Sequence, residues 1–292
     1  MPTDVSYGGL LDAVRGVHWP ARRAVVSAVA GTHHSKQRGT SAEFTEYRLY
    51  RQGDDPRRID WRLLARSDRA YIRLATDRAV LPTTIVLDSS SSMAFPMVTR
   101  EKWRRAQEIA VGLAAVAHAG GDPVGVAVAD DTGDLRMVPP RTRRGVVGEI
   151  ARAIDGVDPD SAGEMGRLLR VVRTKRIAVI TDLLGDDDLL TAAKVHIAGG
   201  GEVHLIHIVA KEELDPPRRT MLAADPERPA LQRLLIDGTR REYEEAFGRW
   251  RADTARDWRS AGASYSEVVT DEPAAHAVRR IAEPPSYGAP RL

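Results

Sequence analysis

At 292 residues the chain is long enough to bury a full core, as one large domain or as one domain with an appendage. It contains no cysteine, which excludes a disulfide framework, a thiolate metal site and a cysteine nucleophile, and which suits a reducing cytoplasm. The formal charge of +2 balances 43 Lys and Arg against 41 Asp and Glu, so the chain as a whole exerts little pull on nucleic acid.

The stretch from Met1 to Tyr7 lacks the basic-then-apolar pattern of a signal peptide. No run approaches the roughly 20 apolar residues of a membrane span. Residues 8–30 carry helical periodicity interrupted at Pro20, which predicts two short helices or one broken helix. Because this stretch is amphipathic and basic, contact with a membrane surface is the alternative to packing on the domain.

Residues 31–79 differ in character. Arginines such as Arg48, Arg51, Arg57, Arg58, Arg62 and Arg66 are interleaved with Glu43, Glu46, Asp54, Asp55, Asp60 and Asp68. Phe44, Tyr47, Tyr50, Trp61 and Tyr71 are spread among them. A solvated surface with scattered ion pairs is the plain reading. Against it, Gly53-Asp54-Asp55-Pro56 is a strong turn signal, followed at once by the dense cluster Arg57, Arg58, Ile59, Asp60 and Trp61. Guanidinium forks pair bidentately with carboxylates, so a self-contained Arg–Asp network is expected. An anion or nucleic-acid surface is the sharper alternative, but the interleaved acids would repel phosphate unless arginines paired them.

Thr84 to Leu87 is an apolar run without polar alternation, the pattern of a strand buried on both faces. It stops at Asp88, and four serines follow before Met93. Asp88, Ser90 and Ser92 form an Asp-x-Ser-x-Ser pattern on a loop leaving a strand's carboxyl end, where open parallel sheets bind ligands. Three hard oxygen donors, one of them a carboxylate, suit Mg²⁺ or Mn²⁺. The plainer alternative is a Ser-rich turn in which Asp88 caps the next helix. A second buried strand, Arg176 to Thr181, ends at Asp182. Two strands ending in Asp bring two carboxylates to one rim, where they repel unless a cation lies between them.

The remaining elements alternate. Trp103, Ala106, Ile109, Ala110, Leu113, Val116 and Ala117 give a helical stripe, ended by Gly120 to Pro123. Val124 to Ala129 reads as a buried strand, and Leu135 to Val138 as an antiparallel edge strand stopped by Pro139 and Pro140. Helices are expected near 144–154, 163–174 and 186–198, with a strand over Val203 to Val209. His204 and His207, three apart on that strand, face opposite sides and cannot share a metal; they read as structural, as do His33 and His34. Residues 211–238 read as a loop and short hairpin. Tyr243, Phe247, Trp250 and Trp258 mark the core face of a long helix. A strand over Tyr265 to Val269 and a helix over 272–282 follow. The prediction is an α/β fold with a doubly wound, mostly parallel sheet and an N-terminal, Arg-rich, β-containing appendage. Its parts are the appendage, residues 1–79, the sheet domain, 80–285, and a tail, 286–292.

The segment Gly31-Thr32-His33-His34-Ser35, then Gly39, Glu43-Phe44, Tyr50 through Trp61, and Ala65-Arg66, resembles the signature of the bacterial domain-of-unknown-function 58 family. That resemblance implies a von Willebrand factor A-like, Rossmann-like domain after the signature. The order here is the same: signature, strand ending in Asp-x-Ser-x-Ser-Met, then helix. The Asp88 loop and Asp182 are likewise similar to the metal-ion-dependent adhesion site of such domains. By that resemblance Ser90 and Ser92 give hydroxyl oxygens directly to Mg²⁺ or Mn²⁺, and Asp88 and Asp182 bind directly or through water. One position then stays open for a carboxylate of a partner protein, so the ion is recognition glue, not a catalyst. The adhesion-site pattern also has a Thr on a third loop. Here Gly163 stands in its place, with Ser161 or Glu164 as substitutes, which weakens the expected metal affinity.

The family resemblance implies a non-enzymatic interaction module, an adaptor or co-chaperone of a MoxR-type AAA+ ATPase. The metal-loop set is then one contact surface. The signature residues Arg51, Gly53, Asp54, Asp55, Arg57, Arg58, Asp60, Trp61 and Arg66 are the second. The alternative is an Asp-dependent phosphatase or phosphotransferase with Asp88 as nucleophile. Its relatives use Asp-x-Asp-x-Thr, and Ser90 here lacks the proton of the second Asp. The nearest lysine upstream of Asp182, Lys175, lies at the far end of the strand. No G-x-x-x-x-G-K-[ST] loop is present, so the chain is not itself the ATPase.

Overall fold

A computed structural model describes residues 7–22, 30–34, 43–51, 54, 56–67, 69–76, 78–129, 135–159, 165–185, 188–217, 221–224, 232–235 and 237–283. The chain divides into two units, Met1–Trp19 with Pro82–Leu292, and Pro20–Leu81.

The smaller unit contains β1 (Ala30–His34), β2 (Glu43–Leu49), α2 (Trp61–Ser67), β3 (Tyr71–Thr76) and β4 (Arg78–Ala79), while α1 (Gly8–Ala13) belongs to the larger unit. β2 pairs with β3 and β1 with β4, both antiparallel. Between these strands the acids serve the backbone. Asp60 Oδ1 accepts the N–H groups of Arg62 and Leu63, both at 3.0 Å, and so caps α2. Asp54 Oδ2 accepts the Arg51 N–H at 2.8 Å and closes the turn that the sequence signals there. Arg51, Arg57 and Arg66 are exposed, and Trp61 is 62% exposed. Gly53 and Asp55 lie outside the described residues, as does the side chain of Arg58.

The larger unit continues with β5 (Thr83–Leu87), α3 (Glu101–Ala119), β6 (Val124–Ala129), β7 (Leu135–Arg141), α4 (Val146–Asp155) and α5 (Met165–Val171). Then come β8 (Arg176–Thr181), α6 (Leu189–Ala198), β9 (Glu202–Val209) and the short α7 (Lys211–Leu214). A small antiparallel hairpin of β10 (Met221–Ala224) and β11 (Gln232–Leu235) precedes α8 (Asp237–Ser260), β12 (Ser264–Val269) and α9 (Ala274–Ala282). Six strands form one sheet in the order β12-β9-β8-β5-β6-β7, parallel except for β7. Chain order therefore runs outward from β5 on one side and from β8 on the other. The crevice at the carboxyl ends of these two central strands is the switch point of a doubly wound sheet.

Every residue of β5, β6, β8 and β9 is buried, which explains the uninterrupted apolar runs. Alternation then sorts them by face. Ile85, Leu87, Ala178 and Ile180 pack with α3, α4 and α9; Val86, Ile177, Val179 and Leu205 pack with α5, α6 and Trp258. The stripe on α3 is buried throughout. Leu10 and Leu11 of α1, with Val14, Val17 and Trp19, join the first of these cores. The Trp19 ring lies 4.5 Å from the guanidinium of Arg176, a fully buried residue close to Glu202 and Asp122. A second helix before residue 31 falls largely outside the described residues.

Two expectations are revised. β7 does not stop at Val138 but runs through both prolines to Arg141. It is an edge strand with a register shift opposite Val124 and Val126, so ring nitrogens without N–H break no interior ladder. The aromatic stripe on α8 is core only at its end. Trp258 is 3% exposed, whereas Tyr243, Phe247 and Trp250 are half-buried and stack on one another at 5.5 and 5.6 Å.

Candidate metal centre

Asp88 follows β5 directly, and its N–H still bonds Ile180 O at 2.9 Å, so the first site residue is pinned to the neighbouring strand. Beyond it the chain needs oxygen-rich, small side chains to turn inside the crevice. Asp88 Oδ1 accepts the Ser90 N–H at 2.9 Å. Ser89 turns the other way and donates to Ala129 O at 2.8 Å, fastening the loop to β6. Ser91–Ala94 then make a single 3-10 turn that brings Ser92 back toward β8.

Asp182 is the first residue past β8, two register steps beyond the Leu87–Ile180 pair. The polar atoms of the two loops interlock. Ser90 Oγ and Ser92 Oγ are 3.1 Å apart, and Ser92 Oγ donates to Asp182 Oδ1 at 3.1 Å. Thr181 Oγ1 donates to Asp88 Oδ2 at 2.5 Å and accepts the Leu183 N–H at 2.9 Å. Leu183 turns through the left-handed region, φ 61°, and lets the Leu184 N–H reach Asp182 Oδ1 at 3.1 Å. All four predicted donors meet here, and all are buried: Asp88, Ser90, Ser92 and Asp182 are 4%, 7%, 0% and 2% exposed. Ser161 and Glu164, like Gly163, lie outside the described residues.

Three participants have no counterpart in the sequence reading: Thr181, Lys102 and Glu213. Lys102, on the first turn of α3, extends its ammonium to Asp182 Oδ2 at 2.9 Å and Glu213 Oε1 at 2.5 Å. Burial disfavours its charge, but Asp182 and Glu213 outweigh that cost and hold its pKa above the ordinary value. Glu213, on α7, is raised by burial, with Lys102 pulling in the opposite direction. Asp88 is pushed up to about 7, first by burial and then by the charge of Asp182, against the hydrogen bonds from Thr181 and Ser90. Asp88 Oδ1 accepts the Ser90 N–H and Oδ2 the Thr181 hydroxyl, the Ser90 hydroxyl also bears on the carboxylate, and among the described residues no ion pair joins it to a lysine or arginine.

Asp88, Asp182 and Glu213 thus carry three negative charges when ionised, against the single ammonium of Lys102. Ligands at about 2.1 Å in octahedral geometry stand about 3.0 Å apart along an edge. The two 3.1 Å separations, Ser90 Oγ to Ser92 Oγ and Ser92 Oγ to Asp182 Oδ1, match that edge. The donor set, two carboxylates and two hydroxyls on one crevice, is of the hard-oxygen kind that a small divalent cation takes. The phosphatase reading gains nothing. Ser90 has no acidic proton to give, and Lys102, with 1% of its side chain exposed, is already engaged by two carboxylates.

The loops that carry the buried oxygens also carry exposed apolar side chains close by in sequence. Met97 and Val98, after the serine loop, are 66% and 96% exposed, and Leu184, after Asp182, is 36% exposed. His204 and His207 leave β9 on opposite faces. His204 meets the Trp19 ring, and His207 meets Tyr265 and Trp250. Among the described residues no helix is long and apolar enough to cross a membrane.

A doubly wound, mostly parallel sheet with an Asp-x-Ser-x-Ser loop and a second Asp at its switch point is an α/β, von Willebrand factor A-like fold. Residues 46–253 match the family described as protein of unknown function DUF58, and the chain belongs to that family. Uncharacterized proteins of Mycobacterium bovis and Mycobacterium tuberculosis are 29% identical to it over 278 residues, 92% of this chain and 87% of theirs. Among solved structures it is similar to BatB from Bacteroides thetaiotaomicron, at 20% identity and a TM-score of 0.44, covering 69% of this chain and 96% of that one. It is also similar to a von Willebrand factor type A protein from Catenulispora acidiphila, at 14% identity and a TM-score of 0.40, covering 71% of this chain and 42% of that one.

Proposed function

We propose that this protein is a non-enzymatic protein–protein interaction module of the cytoplasm that engages its partner at the β5/β8 switch point. A divalent cation, Mg²⁺ or Mn²⁺, would be held by Asp88, Ser90, Ser92 and Asp182, and would supply a Lewis-acidic position for a carboxylate of the partner. The observation that carries this reading is the meeting of four buried oxygen donors on the two loops at the β5/β8 switch point. Asp88 and Asp182 supply the two carboxylates for the ion, and a cation between them would relieve the repulsion that helps raise Asp88. Met97, Val98 and Leu184 offer apolar area, and a partner acid flanked by apolar residues complements both the ion and that area. The resemblance of residues 31–66 to its family signature supports a MoxR-type AAA+ ATPase as that partner, with the present chain as adaptor or co-chaperone. Arg51, Arg57, Trp61 and Arg66 form the second contact surface.

The test is a pull-down of the full chain with and without Mg²⁺, with Asp88→Ala as control. Recovery of an AAA+ ATPase only with metal and intact Asp88 is expected. Recovery that is indifferent to both sinks the cation-dependent mechanism. Hydrolysis of generic phosphoesters that Asp88→Ala abolishes would restore the phosphatase alternative.

A further inference from the structure

A lysine with 1% of its side chain exposed is an unusual second residue for a helix whose neighbours pack on the sheet. Burying an ammonium is costly unless it is paired. Lys102 is paired twice, and the pairing divides the two oxygens of Asp182. Oδ1 accepts from Ser92 Oγ and the Leu184 N–H and faces the serine loop, while Oδ2 faces the ammonium. Glu213 is fixed in its turn, because Oε2 accepts the Ala210 N–H at 2.7 Å. The ammonium is therefore gripped from two sides by groups that are themselves held, and is no wandering surface charge.

We propose that Lys102 is a resident counter-cation that keeps Asp182 neutralised without metal and sets divalent affinity low. This rests on the cation-site reading above and states what governs the strength of that site. A divalent ion among Asp88, Ser90, Ser92 and Asp182 meets a fixed positive charge bonded to one of its own ligands. Like charges repel strongly where burial removes the screening of water and salt. The same ammonium gives the site its integrity in the metal-free state, because it links the loop after β8, through Asp182, to α7, through Glu213. The contact surface is then formed before any ion arrives, and metal adds to it instead of building it.

Mn²⁺ alone is the probe, with free ion counted by electron paramagnetic resonance in the presence of full-length wild type and Lys102→Met. The variant is expected to bind Mn²⁺ at least about tenfold more tightly. The gain should vanish when Asp88→Ala is added. In chelator, Lys102→Met should melt below wild type, and saturating Mn²⁺ should raise its midpoint by more than it raises that of wild type. Lys102→Gln keeps a donor for both carboxylates without the charge; it should show the same gain, and it stands in if Lys102→Met does not fold. Equal affinity in wild type and the charge-free variants overturns the role of Lys102 and leaves the cation site standing. No saturable Mn²⁺ binding in any of these proteins overturns both.

Discussion

His207 sits in β9 with its ring buried, Nδ1 at 2.6 Å from the Tyr265 hydroxyl and its edge toward Trp250 at 5.5 Å. Burial lowers its pKa to about 4, outweighing the upward pull of Glu267 and Asp182. The folded state therefore holds a neutral imidazole that the unfolded chain protonates near the ordinary 6.5. Stability from this group is fully present above pH 6.5 and is lost as pH falls toward 4, to the extent of roughly 3 kcal/mol. Chemical denaturation at pH 7 and pH 5 should show about 2 kcal/mol of that loss in wild type, and His207→Gln should flatten the difference. At the same scale, sequence and structure divide cleanly. Asp88, Ser90 and Ser92 were legible because their spacing is local, and Asp182 because it ends a recognisable strand. Lys102 was not, because a lysine on a helix ordinarily reads as solvent-facing. Its signal is a stripe, Lys102, Ala106, Ile109, Leu113 and Val116, whose first member alone is charged. Glu213 has no local signal, since only the fold carries it across the sheet to Lys102.

Among the elements, β7 shows how a sequence rule yields to position. Two prolines rightly argue against an interior strand, but an edge strand keeps them where no partner needs an N–H. The accommodation falls on Gly125 in β6. A Cβ there would stand 2.2 Å from Val138 O and 2.8 Å from Pro140 N, both backbone atoms that cannot swing aside. Gly125→Ala is therefore expected to destabilise by about 1–3 kcal/mol through the strain of forcing the strands apart. A lowered midpoint in thermal unfolding, with amide exchange quickened along β7, would confirm it; an unchanged midpoint would refute the close approach. The segment after α1 makes a different case. Its periodicity announced a helix, but not that Trp19 would stack on buried Arg176, a contact joining residues far apart in the chain. Trp19→Ala should cost about 3–5 kcal/mol, the range for deleting a large buried aromatic, and urea midpoints at constant slope measure it.

For the whole molecule, the alternation of buried runs with helix-length segments was enough to specify a mostly parallel sheet, and the chain's order places Asp88 and Asp182 on adjacent central strands. What alternation leaves open is how the unit of residues 20–81 takes part in function. Its described surface carries a 62% exposed tryptophan on α2 with Arg57 and Arg66 exposed near it in sequence. An indole flanked by guanidinium groups is the composition of an interface hot spot. Trp61→Ala should therefore weaken capture of the proposed ATPase partner about tenfold or more, yet leave Mn²⁺ affinity at the switch point unchanged. Asp88→Ala should abolish Mn²⁺ binding and weaken capture through a different surface. If the two act independently, their losses in binding free energy add in the double variant. A double variant no weaker than Asp88→Ala alone would mean that residues 20–81 touch the partner only after the cation site has engaged it. An effect of Trp61→Ala on Mn²⁺ affinity would mean that the two units answer to each other without any partner present.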